Sequence, residues 1–319
     1  MRVPVPALLA LAVLAAAPAA QAQATPEPIA RTAAEPILVE SVAFDARGRL
    51  LVASIHRAGV FRLDQDGRLR RFSPEGATQG VFGLAADPER GWLWAASSDS
   101  PYDTAEGGGS ALLKLDLRTG RLLARYEPGD GAHAFGDLAL GPDGSVYVSD
   151  GPARQVLRLP PVGGGLELVT EFPERGSPQG LAVWPEGGGL IVADYGTGLH
   201  RVVLATGERT PVAGPEGVEL RGLDGLVLAP DGRLIAIQNG TRTPRVLALS
   251  LSPDWTAVTA AEVLAEGGDL SEPTTGVIGG GGLVFVARSQ WTDFGPDGQP
   301  RTPTPEPAVI ARLPLEPRQ

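Results

Sequence analysis

Glu40-Ser41-Val42-Ala43-Phe44, the turn Asp45-Ala46-Arg47-Gly48 and the apolar run Leu50-Leu51-Val52-Ala53 make one unit, and the chain writes that unit six times. Later copies open with Phe82-Gly83-Leu84-Ala85, Gly136-Asp137-Leu138-Ala139, Gln179-Gly180-Leu181-Ala182, Asp224-Gly225-Leu226-Val227 and Thr275-Gly276-Val277-Ile278. The starts are spaced by 42 to 54 residues. A repeat of that length carries four short strands and belongs to a propeller blade. The fold class expected is therefore all-β: a six-bladed β-propeller with four-stranded antiparallel blades.

Each copy continues in the same way. The second strands read Trp92-Leu93-Trp94, Val146-Tyr147-Val148, Leu190-Ile191-Val192-Ala193, Leu234-Ile235-Ala236-Ile237 and Leu283-Val284-Phe285-Val286. Unbroken apolar runs between Gly, Asp and Pro turns suit strands covered on both faces, as in a blade between two neighbours. Third strands follow, such as Val60-Phe61-Arg62-Leu63 and Val156-Leu157-Arg158-Leu159. Fourth strands are weaker and more polar, as in Arg68-Leu69-Arg70-Arg71-Phe72. The 43 glycines and 30 prolines suit the many tight turns this requires. After the sixth third strand the chain ends, so the last blade lacks an outer strand. The stretch around residues 29–34 is expected to supply it. The ring then closes with N- and C-terminal strands and leaves no open edge.

Met1-Arg2, the apolar residues 7–17 and the small-x-small sites Ala20-Gln21-Ala22 and Ala22-Gln23-Ala24 read as a cleaved signal peptide over residues 1–24. The apolar run is too short to span a bilayer. Residues 25–319 are expected to form a single propeller domain, exported to the periplasm or secreted. With no cysteine there is no disulfide framework and no lipid-attached Cys. The formal charge of −10 disfavours nucleic acid and anionic membrane as partners. The expected partner is a small-molecule substrate or ligand, with no membrane insertion after signal cleavage. The oligomeric state stays open.

Stacking the six copies places Glu40, Phe82, Gly136, Gln179, Asp224 and Thr275 around one mouth of the central channel. Two carboxylates, an amide and a hydroxyl meeting on an axis form an oxygen-rich cluster, which suits hard divalent cations such as Ca²⁺ or Mg²⁺. The structural alternative is a solvated mouth that tolerates charge.

The chain resembles the six-bladed gluconolactonase and senescence-marker-protein (regucalcin-like) group, as a divergent member, over nearly all of residues 25–319. The resemblance lies in Leu38-Val39-Glu40-Ser41-Val42-Ala43-Phe44, Ser177-Pro178-Gln179-Gly180-Leu181-Ala182 and Leu223-Asp224-Gly225-Leu226. It implies that Glu40, Gln179 and Asp224 hold a divalent cation, Ca²⁺ first, with Zn²⁺, Mn²⁺ or Mg²⁺ as alternatives. It also implies hydrolysis of a small cyclic ester, with Asp224 as the catalytic residue assisting water attack on the polarised carbonyl. Gln179 stands where the family usually has Asn, and Ser41-Val42 replaces Gly-Pro. The family's Arg-x-Asn-Asp segment appears as Ala134-Phe135-Gly136-Asp137. The alternative function is a non-catalytic propeller that binds a small ligand or a protein at the channel mouth.

Further pocket candidates are Phe82 and Thr275 from the ring, Asp137 beside it, His133 just ahead of an inner strand, Tyr102 from the long second-blade loop, and Trp291. Trp291 opens the Pro-rich insertion of residues 290–307, which is expected to lie over the mouth as a ligand lid or as a surface loop. His56 and His200 fall in other blades and are too dispersed for a zinc site. No Gly-x-Ser-x-Gly elbow marks a serine hydrolase. None of the glycine clusters opens a helix that could cradle phosphate.

Overall fold

The structure, a computed structural model, describes residues 24–315. The expected signal peptide, residues 1–24, lies outside the described residues apart from Ala24. Six four-stranded antiparallel sheets follow one another along the chain. Among the described residues the one helical element is a 3₁₀ turn at Trp291–Asp293. The first blade comprises Val39–Phe44, Leu50–Ser54, Gly59–Leu63 and Leu69–Arg71, from the axis outward. In the sixth, Gly276–Gly279, Gly282–Arg288 and Val309–Pro314 are completed by Glu27–Arg31. Glu27 pairs with Arg312 and Arg31 with Val309, so the chain's two ends close the ring. The closing strand begins slightly earlier than expected. Thr32 continues the contact, its hydroxyl accepting from the Ala308 N–H at 3.0 Å.

The second strands are covered on both faces. Every residue of Leu50–Ser54, Val146–Asp150, Gly189–Asp194 and Leu234–Gln238 is buried. The core is not one central mass but a set of seams between neighbouring blades. Ala43, Leu51 and Val60 of the first blade meet Val81, Leu84 and Leu93 of the second in one such seam. Each fully buried Leu or Val side chain contributes about 1.5–3 kcal/mol. Outer strands are more exposed, as at Leu69–Arg71 and Glu167–Glu171. Val258–Glu266 departs from the expectation of weak outer strands, being nine residues long.

The hairpin turns are held by their own side chains. The Asp45 carboxylate accepts from the Arg47 and Arg49 N–H groups at 2.8 and 3.0 Å, and Gly48 supplies the left-handed residue at φ 71°.

Candidate active site

Glu40, Gln179 and Asp224 reach the mouth from inner strands that are bulged at those positions. Regular pairing breaks between Val39 and Ser41, around Glu40, and between Val81 and Gly83, around Phe82. It breaks again at Phe135/Leu138, Pro178/Leu181 and Leu223/Leu226, which bracket Gly136, Gln179 and Asp224. A bulge leaves one residue unpaired and re-aims its side chain. The glycine that follows the ring residue has a second cause. A Cβ on Gly83 would lie 2.6 Å from the Gly136 carbonyl, and one on Gly225 would lie 2.7 Å from the Thr274 carbonyl. Neighbouring inner strands approach that closely around the channel. Two blades use a polar side chain at this position instead. Ser41 Oγ accepts from the Leu84 N–H of the next blade at 3.1 Å. In the other, the Leu181 N–H of the next blade favours the charged form of the Asp137 carboxyl.

Glu40, Gln179, Asp224 and Trp291 line one cavity of about 330 Å³, together with Ser177, Tyr195, Asn239 and Glu272. Trp291 Nε1 donates to Glu40 Oε2 at 2.8 Å. Asn239 Nδ2 donates to Asp224 Oδ2 at 2.6 Å, and Gln179 Nε2 donates to Ser177 Oγ at 3.0 Å. Glu40 Oε1, Asp224 Oδ1 and Gln179 Oε1 are left without a hydrogen-bond partner among the described residues. Glu272, at φ 52°, accepts from the Thr292 N–H at 2.8 Å. Below the mouth the channel turns apolar, lined by Ala43, Leu84, Leu138, Leu181, Leu226 and Val277 among others.

That apolar throat shapes the electrostatics. Burial raises the Glu40 carboxyl well above the usual carboxylate range, and the charges of Asp224, Asp137 and Glu272 raise it further against the Trp291 hydrogen bond. Burial carries Asp137 to about 7, with Asp224 adding to it and the Leu138 and Leu181 N–H groups opposing. Asp224 is raised to about 6 by burial, opposed by Asn239. Among the described residues no Lys, Arg or His lines the cavity. Concentrated negative charge without a cationic side chain, in a low-dielectric site, favours a proton or a bound cation.

The remaining expected pocket residues separate. Tyr102 packs edge-on against Trp291 at 5.1 Å between ring centroids. Phe82 joins the same apolar cluster with Leu38, Ile55 and Phe294, so both stand behind Trp291 rather than on the cavity wall. Thr275 is buried, with Oγ1 2.9 Å from Ser41 Oγ and 3.2 Å from the Glu40 carbonyl, and it joins the sixth blade to the first. His133 lies away from the mouth. Its Nδ1 is 2.5 Å from Asp150 Oδ2, and it lines a separate cleft of about 540 Å³ with Ser110, Arg125 and Glu127.

The 290–307 segment is pinned at its base. Buried Gln290, at φ 100°, accepts from the Ile37 and Leu38 N–H groups and donates to the Glu35 and Glu306 carbonyls. This sets Trp291 beside Glu40. Sequence analysis singled out neither Tyr195 nor Asn239, and it missed Ser177 and Glu272 as lining residues. The one available signal was position: Tyr195 and Asn239 each follow a buried second strand directly.

The sequence matches no known family profile and no curated protein. Solved structures do match in three dimensions. A gluconolactonase from Xanthomonas campestris superposes with a TM-score of 0.59 at 17% identity, over 92% of this chain and 96% of that one. The fold is the six-bladed β-propeller that this gluconolactonase also has. The same architecture carries other chemistry in other proteins. The PQQ-bound aldose sugar dehydrogenase from Streptomyces coelicolor matches with a TM-score of 0.58 at 18% identity, over 92% and 99% of the two chains. Virginiamycin B lyase from Staphylococcus aureus matches at 0.57 and 12%, over 86% and 80%. Such likeness shows architecture; any reaction depends on the residues at the mouth.

Whether those residues suit a cation is a question of donors. Among the described residues no group of three or more His, Cys, Asp or Glu side chains stands ready to hold a metal. The mouth instead offers two carboxylates and an amide oxygen with unused acceptor capacity. That set fits a hard cation that keeps some of its water, and it does not fit a thiolate- or imidazole-bound metal.

Proposed function

We propose that this protein is an exported, metal-dependent hydrolase of the lactonase type that opens a small cyclic ester. One observation carries the reading: Glu40 and Asp224 face one cavity, both raised by burial, with no basic side chain among the described lining residues. Glu40, Gln179 and Asp224 would hold the divalent cation, Ca²⁺ by donor type, which supplies carbonyl polarisation and a more acidic water. Asp224, at about 6, is a stronger base than an ordinary aspartate and is still ionised at neutral pH. It accepts a proton as water adds to the ester carbonyl. The ring C–O bond then breaks, and the proton passes to the departing alkoxide.

The chain lacks the Arg and Asn of the family's Arg-x-Asn-Asp segment, and Asp137 and Glu272 add negative charge. The substrate that suits such a mouth is uncharged or cationic. Its ring-opened carboxylate is repelled by the lining, which favours release. Trp291 and Tyr195 supply flat apolar walls.

Calorimetric titration of the chelator-treated protein with Ca²⁺, Mn²⁺ and Zn²⁺, followed by a lactone panel read by pH indicator, tests the proposal. Binding of one cation, lost or weakened at least tenfold in Asp224→Asn, with turnover of a neutral lactone, is expected. Absence of binding, or turnover that persists in both Glu40→Gln and Asp224→Asn, removes the metal–water mechanism. It would then favour a ligand-binding propeller using the same aromatic walls.

A further inference from the structure

We infer that Asn239 and Tyr195 are positioning residues that brace Asp224 across three elements, committing Oδ2 and leaving Oδ1 to the reacting water or cation. The inference rests on the hydrolase reading of the mouth. Its geometry is independent of any ligand. Asn239 Nδ2 lies 2.6 Å from Asp224 Oδ2 and 3.0 Å from the Pro273 carbonyl. The Tyr195 hydroxyl lies 2.9 Å from Asn239 Oδ1.

The Pro273 carbonyl decides which way the amide points. A carbonyl only accepts, so the amide nitrogen must face it. Turning the amide over would set Asn239 Oδ1 against both the Pro273 oxygen and the Asp224 carboxylate, three acceptors together. With the nitrogen so fixed, one of its hydrogens meets Pro273 and the other meets Asp224. The Tyr195 hydroxyl then donates to the oxygen at the opposite end. Asn239 thus has no rotational freedom that keeps its contacts.

Tyr195 has a seat built for it. A Cβ on Gly240 would lie 2.8 Å from the Tyr195 ring and hydroxyl. Gly240 N–H also donates to the Gly222 carbonyl at 3.0 Å, and Gly222 N–H donates to the Tyr195 carbonyl at 2.8 Å. Tyr195 comes from the fourth blade, Asn239 from the fifth, and Pro273 from the link to the sixth. The brace therefore fixes Asp224 relative to three blades at once. Partners of this kind orient a ligating carboxylate and reduce the freedom it loses on binding.

The test compares Asn239→Ala, Tyr195→Phe and the double variant by Ca²⁺ calorimetry, by kcat and KM on the lactone turned over, and by crystal structure. Asn239→Ala is expected to weaken Ca²⁺ binding and lower kcat by about 10- to 100-fold, with KM changed far less. Tyr195→Phe is expected to give a smaller loss of the same kind. Because Tyr195 acts through Asn239, the double variant should match Asn239→Ala within about twofold, whereas independent roles would multiply. Multiplying losses, or Asn239→Ala binding Ca²⁺ as tightly as the parent, would overturn the brace. If the parent protein neither binds a cation nor hydrolyses an ester, the hydrolase reading fails, and the crystal structure of Asn239→Ala still decides the brace. Asp224 turned from its present orientation supports it, and Asp224 unmoved rejects it.

Discussion

Asp137, close to Asp224 and to the Leu138 and Leu181 N–H groups, has a measurable consequence for stability. Its carboxyl is raised from the ordinary aspartate range to about 7 in the folded protein, by burial first and by Asp224 in addition. An acid whose folded value is raised binds more protons folded than unfolded. Its protonated form is fully accommodated below the unfolded value, and stability is lost as pH rises from about 4 to about 7. Glu40 and Asp224 act in the same direction. The melting temperature is therefore expected to fall as pH is raised across that window. Asp137→Asn should flatten the profile and raise the melting temperature at pH 8. A profile that rises with pH, or one unchanged by Asp137→Asn, would mean that burial does not hold these carboxyls in their protonated form. Glu40, Gln179 and Asp224 were visible as residues of the repeat because each opens a copy. Asn239 and Tyr195 were not, because nothing in their own sequence neighbourhood says what they face.

Inner strands carry two demands, a bulge that aims one side chain inward and a close approach to the next blade. Gly225 serves the second. Gly225→Ala is expected to cost about 1–3 kcal/mol in chemical denaturation, since the new Cβ meets the Thr274 carbonyl at 2.7 Å. Gly129→Ala, with no heavy atom within 4 Å of its added Cβ and ordinary backbone, serves as the control and should stay within about 0.5 kcal/mol. Equal effects would mean that the inter-blade approach is not what selects glycine. At this scale the strands were legible because their apolar runs and the Gly, Asp and Pro turns that bound them are local. The bulges were not, since a register break is a relation between two strands. The loop at residues 290–307 was legible only as an insertion, and its buried Gln290 anchor could not be read from composition.

For the molecule as a whole, closure rests on Glu27–Arg31 pairing with Val309–Pro314. Removing residues 24–31 exposes the edge of the sixth blade and uncovers apolar side chains such as Ile310. The melting temperature is expected to fall by on the order of 10 °C or more, with increased aggregation. An unchanged melting temperature would show that the pairing contributes little. The sequence by itself determined the blade count and the strand order, and it singled out Glu40, Gln179 and Asp224. Those follow from a hydrophobic and turn pattern that each copy writes within itself. Only the tertiary structure decided which loop residues share the mouth. Trp291 reaches Glu40 across 251 residues, and Tyr195, Asn239 and Pro273 meet from three blades. His133, equally plausible by its place in the chain, turns to a cleft of its own. The physical reason is that a blade's strands are specified by neighbours along the chain. The mouth is instead specified by the rotation between blades and by the anchoring of their loops, which no single copy encodes.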